Sequence, residues 1–272
     1  MAAEAVEIPA PVAAICNTFL TEAPDGLVTG LYLRGGIGFG EWVPGQSDVD
    51  FVATLAHRPS DAEVTALRAT HLAVAEAHPD VPFDGMHPLA TDLVADPADC
   101  PEGPVILHGH FEEQGRLDPE IAWHELARNG LTVTGPPVEA LGIWTSPRAL
   151  AEFTRNNLDT YWRATAEALQ AMPSEGARLD ACTWCVLGVA RLDHLLVTGD
   201  MTTKSAAGRW GLTHYPERFH RVLREALRIR GDIRDSGGDE YPEDGAARGQ
   251  DTAEFTAYVV REGTRSDGAL GS

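Results

Sequence analysis

The chain reads as an α+β protein in two parts. A mixed sheet with flanking helices is expected over residues 1–143, an all-α helical bundle over 144–262, and a disordered tail over 263–272. Three observations predict this. Short β-rich runs alternate with helical segments in the first half and give way to long helical patterns in the second. Polar and apolar residues alternate in Asp48-Val49-Asp50-Phe51, as on a half-buried strand. Beyond Ser146 apolar residues recur at helical spacing, through Leu150, Phe153, Leu158, Tyr161, Trp162, Ala166 and Leu169. With 272 residues, 43% of them hydrophobic, the chain can bury one large core or two modest ones.

The first part begins with a helix from Pro9 to Leu20, whose prolines Pro9 and Pro11 fit its opening turn. Leu27 to Leu33 is a β-rich run ending in Arg34-Gly35-Gly36. A glycine-dense loop follows through Gly38, Gly40 and Gly45, and a second strand covers Asp48 to Leu55. Ser60-Asp61-Ala62-Glu63 has the form of a capping box and opens a helix reaching about Ala77. Val81 to Leu89 is a candidate third strand that carries Asp84, and Val105 to His108 a candidate fourth. Pro119 to Arg128 reads as a helix, and Leu131 to Val133 as a short strand before Gly135-Pro136-Pro137.

In the second part Ser146-Pro147 starts a long helix that Pro173 ends. Another helix spans Leu179 to Val197, with Gly199 placed as its C-cap. Shorter helices are expected from Lys204 to Trp210 and from Pro216 to Ile229. Gly231 to Gly249 is rich in Gly and Asp and reads as a mobile loop. Asp251-Thr252-Ala253-Glu254 resembles a capping box before a last helix, Phe255 to Val260.

Acidic residues number 41 and basic ones 21, a formal charge of -20. Such a surface repels phosphate backbones, so nucleic acid is not an expected partner; a polycationic small molecule would be drawn in. The plain alternative is that the charge serves solubility. No basic stretch followed by an apolar run marks a signal peptide at the N-terminus, and no segment reads as a membrane span. A cytoplasmic protein is expected, with Cys16, Cys100, Cys182 and Cys185 reduced. Cys182-x-x-Cys185 could begin a zinc site, but it lacks a second pair of matching spacing and reads instead as two buried thiols on a helix.

The segment richest in chemistry runs from Gly35 to Asp50. Asp48 and Asp50 stand at i and i+2 on a strand, so both side chains reach the same side and can hold one hard cation. The preceding glycines Gly35 and Gly36 let backbone approach phosphate oxygens, and Ser47 adds a hydroxyl. An apolar strand, a Gly-Gly turn, Asp-x-Asp and a second apolar strand, in that order, suit Mg²⁺ and a nucleoside triphosphate.

This pattern resembles the nucleotidyltransferase superfamily, whose signature is Gly-[Gly/Ser] followed after a loop by Asp-x-[Asp/Glu]. A closer resemblance is to aminoglycoside 3''-adenylyltransferases and uncharacterised proteins related to them. It covers most of the chain, through Gly135-Pro136-Pro137, Asn156-Asn157-Leu158-Asp159-Thr160-Tyr161-Trp162, Val186-Leu187-Gly188-Val189-Ala190-Arg191, Thr198-Gly199 and Lys204-Ser205-Ala206-Ala207-Gly208-Arg209-Trp210. The resemblance implies a nucleotidyltransferase-fold domain before the helical one, with the site in the cleft between them. It implies Asp48 and Asp50 as Mg²⁺ ligands, and Arg191 and Lys204 as cations holding the triphosphate. By residue type, Arg191 reads equally as a structural ion-pair member and Lys204 as a surface lysine.

The family's general base is carried on a following strand, and Asp84 in Phe83-Asp84-Gly85-Met86 is the candidate; a turn aspartate is the alternative. Glu112 and Glu113 are next in line. His87 is a minor candidate for the rim of the site. The chain departs from the family in Gly36, where Ser is usual. It departs again where acidic drug-binding residues are expected, since Ala177 and Ala181 stand there with only Asp180 nearby.

The implied function is Mg²⁺-dependent transfer of AMP from ATP to a hydroxyl of a small, cationic, aminoglycoside-like acceptor, with one or two Mg²⁺ ions as cofactor and antibiotic resistance as the outcome. Two other readings stay open: nucleotidyl transfer to a protein hydroxyl, and a nucleotide-binding regulatory or antitoxin-like protein without turnover.

Overall fold

The computed structural model describes residues 6–231, 239–242 and 244–265. The chain divides into two compact units between Ser146 and Pro147. The first holds, in order, α1 (Ala10–Glu22), β1 (Val28–Arg34), β2 (Val49–Leu55), α2 (Asp61–Ala77), β3 (Phe83–Met86), α3 (Ala90–Leu93), β4 (Gly103–Leu107), β5 (His110–Gly115), α4 (Pro119–Asn129) and β6 (Leu131–Thr134). The strands form a six-stranded sheet in the order β5-β4-β3-β2-β1-β6. β2 and β3 pair in parallel and the other neighbours antiparallel. A parallel pair needs a crossover, which α2 supplies. The Ser60–Glu63 capping box that starts α2 is formed in full.

Successive side chains of β1 and β2 enter different cores. Leu31, Leu33, Val49, Phe51 and Ala53 pack on one face against Val12, Ile15 and Phe19 of α1 and Val74 of α2. Tyr32, Val52 and Met86 pack on the other against Ala122, Trp123 and Leu126 of α4. Cover on both faces explains why these strands are nearly continuous apolar runs.

The expected third strand is shorter than its apolar run, Phe83–Met86 rather than Val81 to Leu89. β5 is a strand that the pattern hides: it lies at the sheet edge, most of its side chains are exposed, and its His108-Gly109 turn is a weak hairpin signal.

The second unit holds α5 (Pro147–Asn157), a π-helical turn (Leu158–Trp162), α6 (Arg163–Ala171), α7 (Pro173–Gly176), α8 (Leu179–Thr198), α9 (Lys204–His214), α10 (His220–Ile229) and α11 (Gly245–Thr264). The long helix expected from Pro147 to Pro173 is thus interrupted by the π turn. That turn keeps both Leu158 and Trp162 in the core while Tyr161 stays exposed. Gly188 of α8 gives Trp162 its room, since a Cβ there would sit 2.9 Å from ring atom Cζ2. Gly199 ends α8 in the left-handed conformation, with φ 76°.

Four expectations are corrected here. α8 has the length and composition of a membrane span, 20 residues with mean hydropathy 1.2, contrary to the sequence reading. It is a core helix of this unit, burying Cys182, Cys185, Val186, Leu187, Val189 and Ala190. Burial lifts the Cys182 thiol up to about 11 and Cys185 up to about 12, as for packed thiols. Asp251 to Glu254 is no helix start: it lies inside α11, and Asp244 caps that helix by accepting from the Ala247 amide at 3.1 Å. The glycine-rich loop therefore ends before Gly245, and its residues 232–238 and 243 lie outside the described residues. The helix also runs on to Thr264, past the Gly263 where a tail was expected; residues 266–272 lie outside the described residues.

Candidate active site

Three charged residues form one row across the sheet. Arg34 at the end of β1 faces Asp50 on β2, and Asp50 faces Asp84 on β3. Register partners on neighbouring strands present their side chains to the same face. Here that face is the one covered by α4. Asp48, two residues before Asp50, shares it at the mouth of the strand and is exposed. Asp84 is buried, and Asp50 is partly so.

Close carboxylates raise one another's cost of ionisation. Asp50 is pushed up to about 6, by burial first, with Arg34 opposing and Asp48, Glu125 and Asp84 adding to the rise. Burial also raises Asp84, against the effect of the His108 backbone and ring. Arg34 offsets part of this charge. Its Nη2 lies 3.4 Å from Asp50 Oδ1, and its Nη1 donates to Glu125 Oε2 of α4 at 2.6 Å. Burial works against the guanidinium charge, but Asp50 and Glu125 outweigh it and hold the pKa of Arg34 high.

The glycine pair has a geometric role. Gly35 takes φ 67°, and a Cβ there would run into Asp50 Oδ2. A Cβ on Gly36 would meet the Glu41 carbonyl at 2.8 Å. Much of the loop is closed on itself. The amides of Gly38 and Phe39 donate to the carbonyls of Gly35 and Gly36 at 3.0 and 3.2 Å, and Gly40 and Glu41 donate to Ile37 and Gly36, each at 2.9 Å. The Ser47 hydroxyl oxygen accepts from the Val43 amide at 3.0 Å and keeps its proton for another partner.

The first unit thus brings together Gly35, Gly36, Ser47, Asp48, Asp50 and Asp84. Arg191 and Lys204 belong to the second unit. Arg191 is half-buried on α8, and Lys204 is the first residue of α9, its Nζ 4.6 Å from the ring centre of Trp184. Among the described residues no set of three or more His, Cys, Asp or Glu is gathered to enclose a metal. Two carboxylates suffice for Mg²⁺ that also binds phosphate oxygens and water, and the mutual charge of Asp48 and Asp50 fits such a cation.

His87 does not reach the rim. It is buried on the α1–α2 side, with Nδ1 2.9 Å from the Pro104 carbonyl and Nε2 3.1 Å from His71. Glu112 and Glu113 are exposed on β5, two strands from Asp84, and Glu113 pairs with Arg68 at 2.7 Å. Asp180 is held on the surface by Arg178 at 2.6 Å. Arg34, Glu125 and His108 are site residues that sequence reasoning missed. Arg34, directly before the glycine pair, was open to detection; Glu125 and His108 carry no local signal.

Comparison with known proteins finds similarity in the second unit's sequence and in the fold. Residues 153–248 match the family described as aminoglycoside adenylyltransferase, C-terminal domain. The fold is similar to a crystal structure of spectinomycin adenyltransferase AAD(9) from Enterococcus faecialis with ATP and spectinomycin. The TM-score is 0.60 at 13% identity, over 90% of this chain and 98% of that one. Residues 153–248 are thus similar to that C-terminal domain, and the fold as a whole is similar to that of a solved adenyltransferase. No curated protein matches its sequence. In the first unit the charged row lies where the β1–β2 loop delivers Asp48 and Asp50 to the mixed sheet.

Proposed function

We propose that this protein transfers AMP from ATP to a hydroxyl of a small, cationic, aminoglycoside-like acceptor, conferring antibiotic resistance in the cytoplasm where ATP is available. The observation that carries the reading is the row Arg34–Asp50–Asp84 with Asp48 beside it on one sheet face. Asp48 and Asp50 would hold one or two Mg²⁺ ions, which neutralise charge on the phosphate oxygens. Gly35 and Gly36, whose missing side chains let the loop fold close against Asp50 and the Glu41 carbonyl, would lie beside the phosphates, and the Ser47 hydroxyl proton is free to donate to one. Arg191 and Lys204 supply positive charge to the triphosphate, which the acidic row lacks. Asp84 takes the proton of the acceptor hydroxyl as its oxygen attacks the α-phosphorus and pyrophosphate departs. Burial makes the Asp84 carboxylate a stronger base than an exposed one. The net charge of -20 favours a cationic acceptor, and the similar AAD(9) structure contains spectinomycin.

Titration calorimetry with ATP, with and without Mg²⁺, tests the nucleotide half, and pyrophosphate release over an aminoglycoside panel tests the acceptor half. Asp84→Asn should spare ATP binding and cut turnover by on the order of 10²–10⁴. Tight Mg-ATP binding with no pyrophosphate release from any acceptor would instead favour the regulatory reading.

A further inference from the structure

β4 and β5 are joined by two residues, His108 and Gly109, with φ 51° and 76°. A two-residue turn with both φ values positive favours Asn, Asp or Gly, and a histidine at its first position is strained. Gly85 of β3 faces Ile106 of β4, so the turn emerges next to Asp84. The His108 side chain is 76% exposed, which gives it little packing value, whereas that of Asp84 is 4% exposed. His108 Nδ1 lies 3.7 Å from Asp84 Oδ2. That oxygen is buried and has no hydrogen-bond partner. An exposed imidazole on a strained turn therefore stands over an unsatisfied oxygen of a buried carboxylate.

We propose that His108 is a positioning residue for the transfer reaction: its Nδ1–H closes on Asp84 Oδ2 as the acceptor binds, leaving the other carboxylate oxygen to take the acceptor proton. This rests on Asp84 as the general base. The 3.7 Å separation is longer than a hydrogen bond, as is common before substrate closes a site. His108 itself exchanges no proton with substrate. Its contribution is to fix the rotation of a carboxyl group that has no other side-chain partner at Oδ2.

The test compares His108→Gly and His108→Asn in the full chain. Both residues suit the left-handed turn, so both variants should melt at or above the wild-type temperature. With spectinomycin as the acceptor probe, kcat should fall on the order of 10–100-fold, the usual loss when a supporting partner is removed, while KM for ATP is unchanged. Asn, which keeps a side-chain N–H, should recover part of the loss. In an Asp84→Asn background, His108→Gly should have no further effect. The ¹⁵N shift of His108 Nδ1 should also change between wild type and Asp84→Asn, and not in an Asp80→Asn control. Full activity of His108→Gly beside an impaired Asp84→Asn overturns the positioning role. Full activity of Asp84→Asn overturns the base assignment beneath it. If spectinomycin is not turned over, the nitrogen shift decides: a change supports the contact, and an unchanged shift overturns it.

Discussion

The buried pair His71–His87 should make the fold sensitive to mild acid. A carbonyl can only accept, so His87 donates from Nδ1 to Pro104, and its Nε2 is a bare acceptor. His71 must then donate from Nε2 across the 3.1 Å contact, which leaves its Nδ1 buried without a partner. Both rings are neutral and packed among Phe19, Phe51, Phe83 and Phe111. Burial drives His71 down to about 2 and His87 down to about 4. These folded values lie below the unfolded value of about 6.5, so the contribution to stability is complete above pH 6.5 and is lost as pH falls below it. Each ring costs about 1.4 kcal/mol per pH unit in that window, and the two together cost about 4 kcal/mol between pH 6.5 and 5. Asp50 works in the opposite sense. Its folded value of about 6 lies above the unfolded one, so its protonation below pH 6 favours the fold. Comparing wild type with His71→Gln/His87→Gln removes that common contribution. Urea denaturation followed by circular dichroism should show the difference in stability between pH 7 and pH 5 to be about 4 kcal/mol larger for wild type. Equal pH dependence in the two proteins would refute a neutral buried pair.

Other outcomes follow from the site and the second core. Gly35→Ala forces a β-carbon into the Asp50 carboxylate at φ 67°; pyrophosphate release should fall at least about tenfold, with a loss of about 1–2 kcal/mol in urea denaturation. Asp50→Asn should abolish Mg²⁺-dependent ATP binding in calorimetry while the far-ultraviolet spectrum is retained, because the row relies on this charge for the cation. Glu125→Gln breaks the buried pair with Arg34 and should cost about 3–5 kcal/mol, read as a lowered melting temperature. Gly188→Ala should cost about 1–3 kcal/mol by crowding the Trp162 ring without altering ATP affinity of the folded protein.

The acidic pair proposed to hold the metal was legible because it is local. Asp48 and Asp50 lie two residues apart, strand geometry fixes their common side, and Gly35-Gly36 precedes them within one loop. Asp84 was reachable only as a carboxylate on a following strand; its register with Asp50 is set by a parallel pairing across α2. The β5 edge and the π turn at Leu158–Trp162 escaped for a shared reason. Exposure blurs the period of an edge strand, and one extra residue per turn shifts the helical period without a compositional mark.

The sequence determined, through short-range periodicity and spacing, a sheet-bearing part followed by a helical one, together with a pair of acids behind a glycine turn. Only the tertiary structure decided that Arg34 and Glu125 compensate this pair, that His108 stands over Asp84, and that His87 faces away into an aromatic core. The physical reason is that charge compensation and burial depend on distances between segments far apart in the chain. Strand pairing and helix cover set those distances, and no local pattern records them.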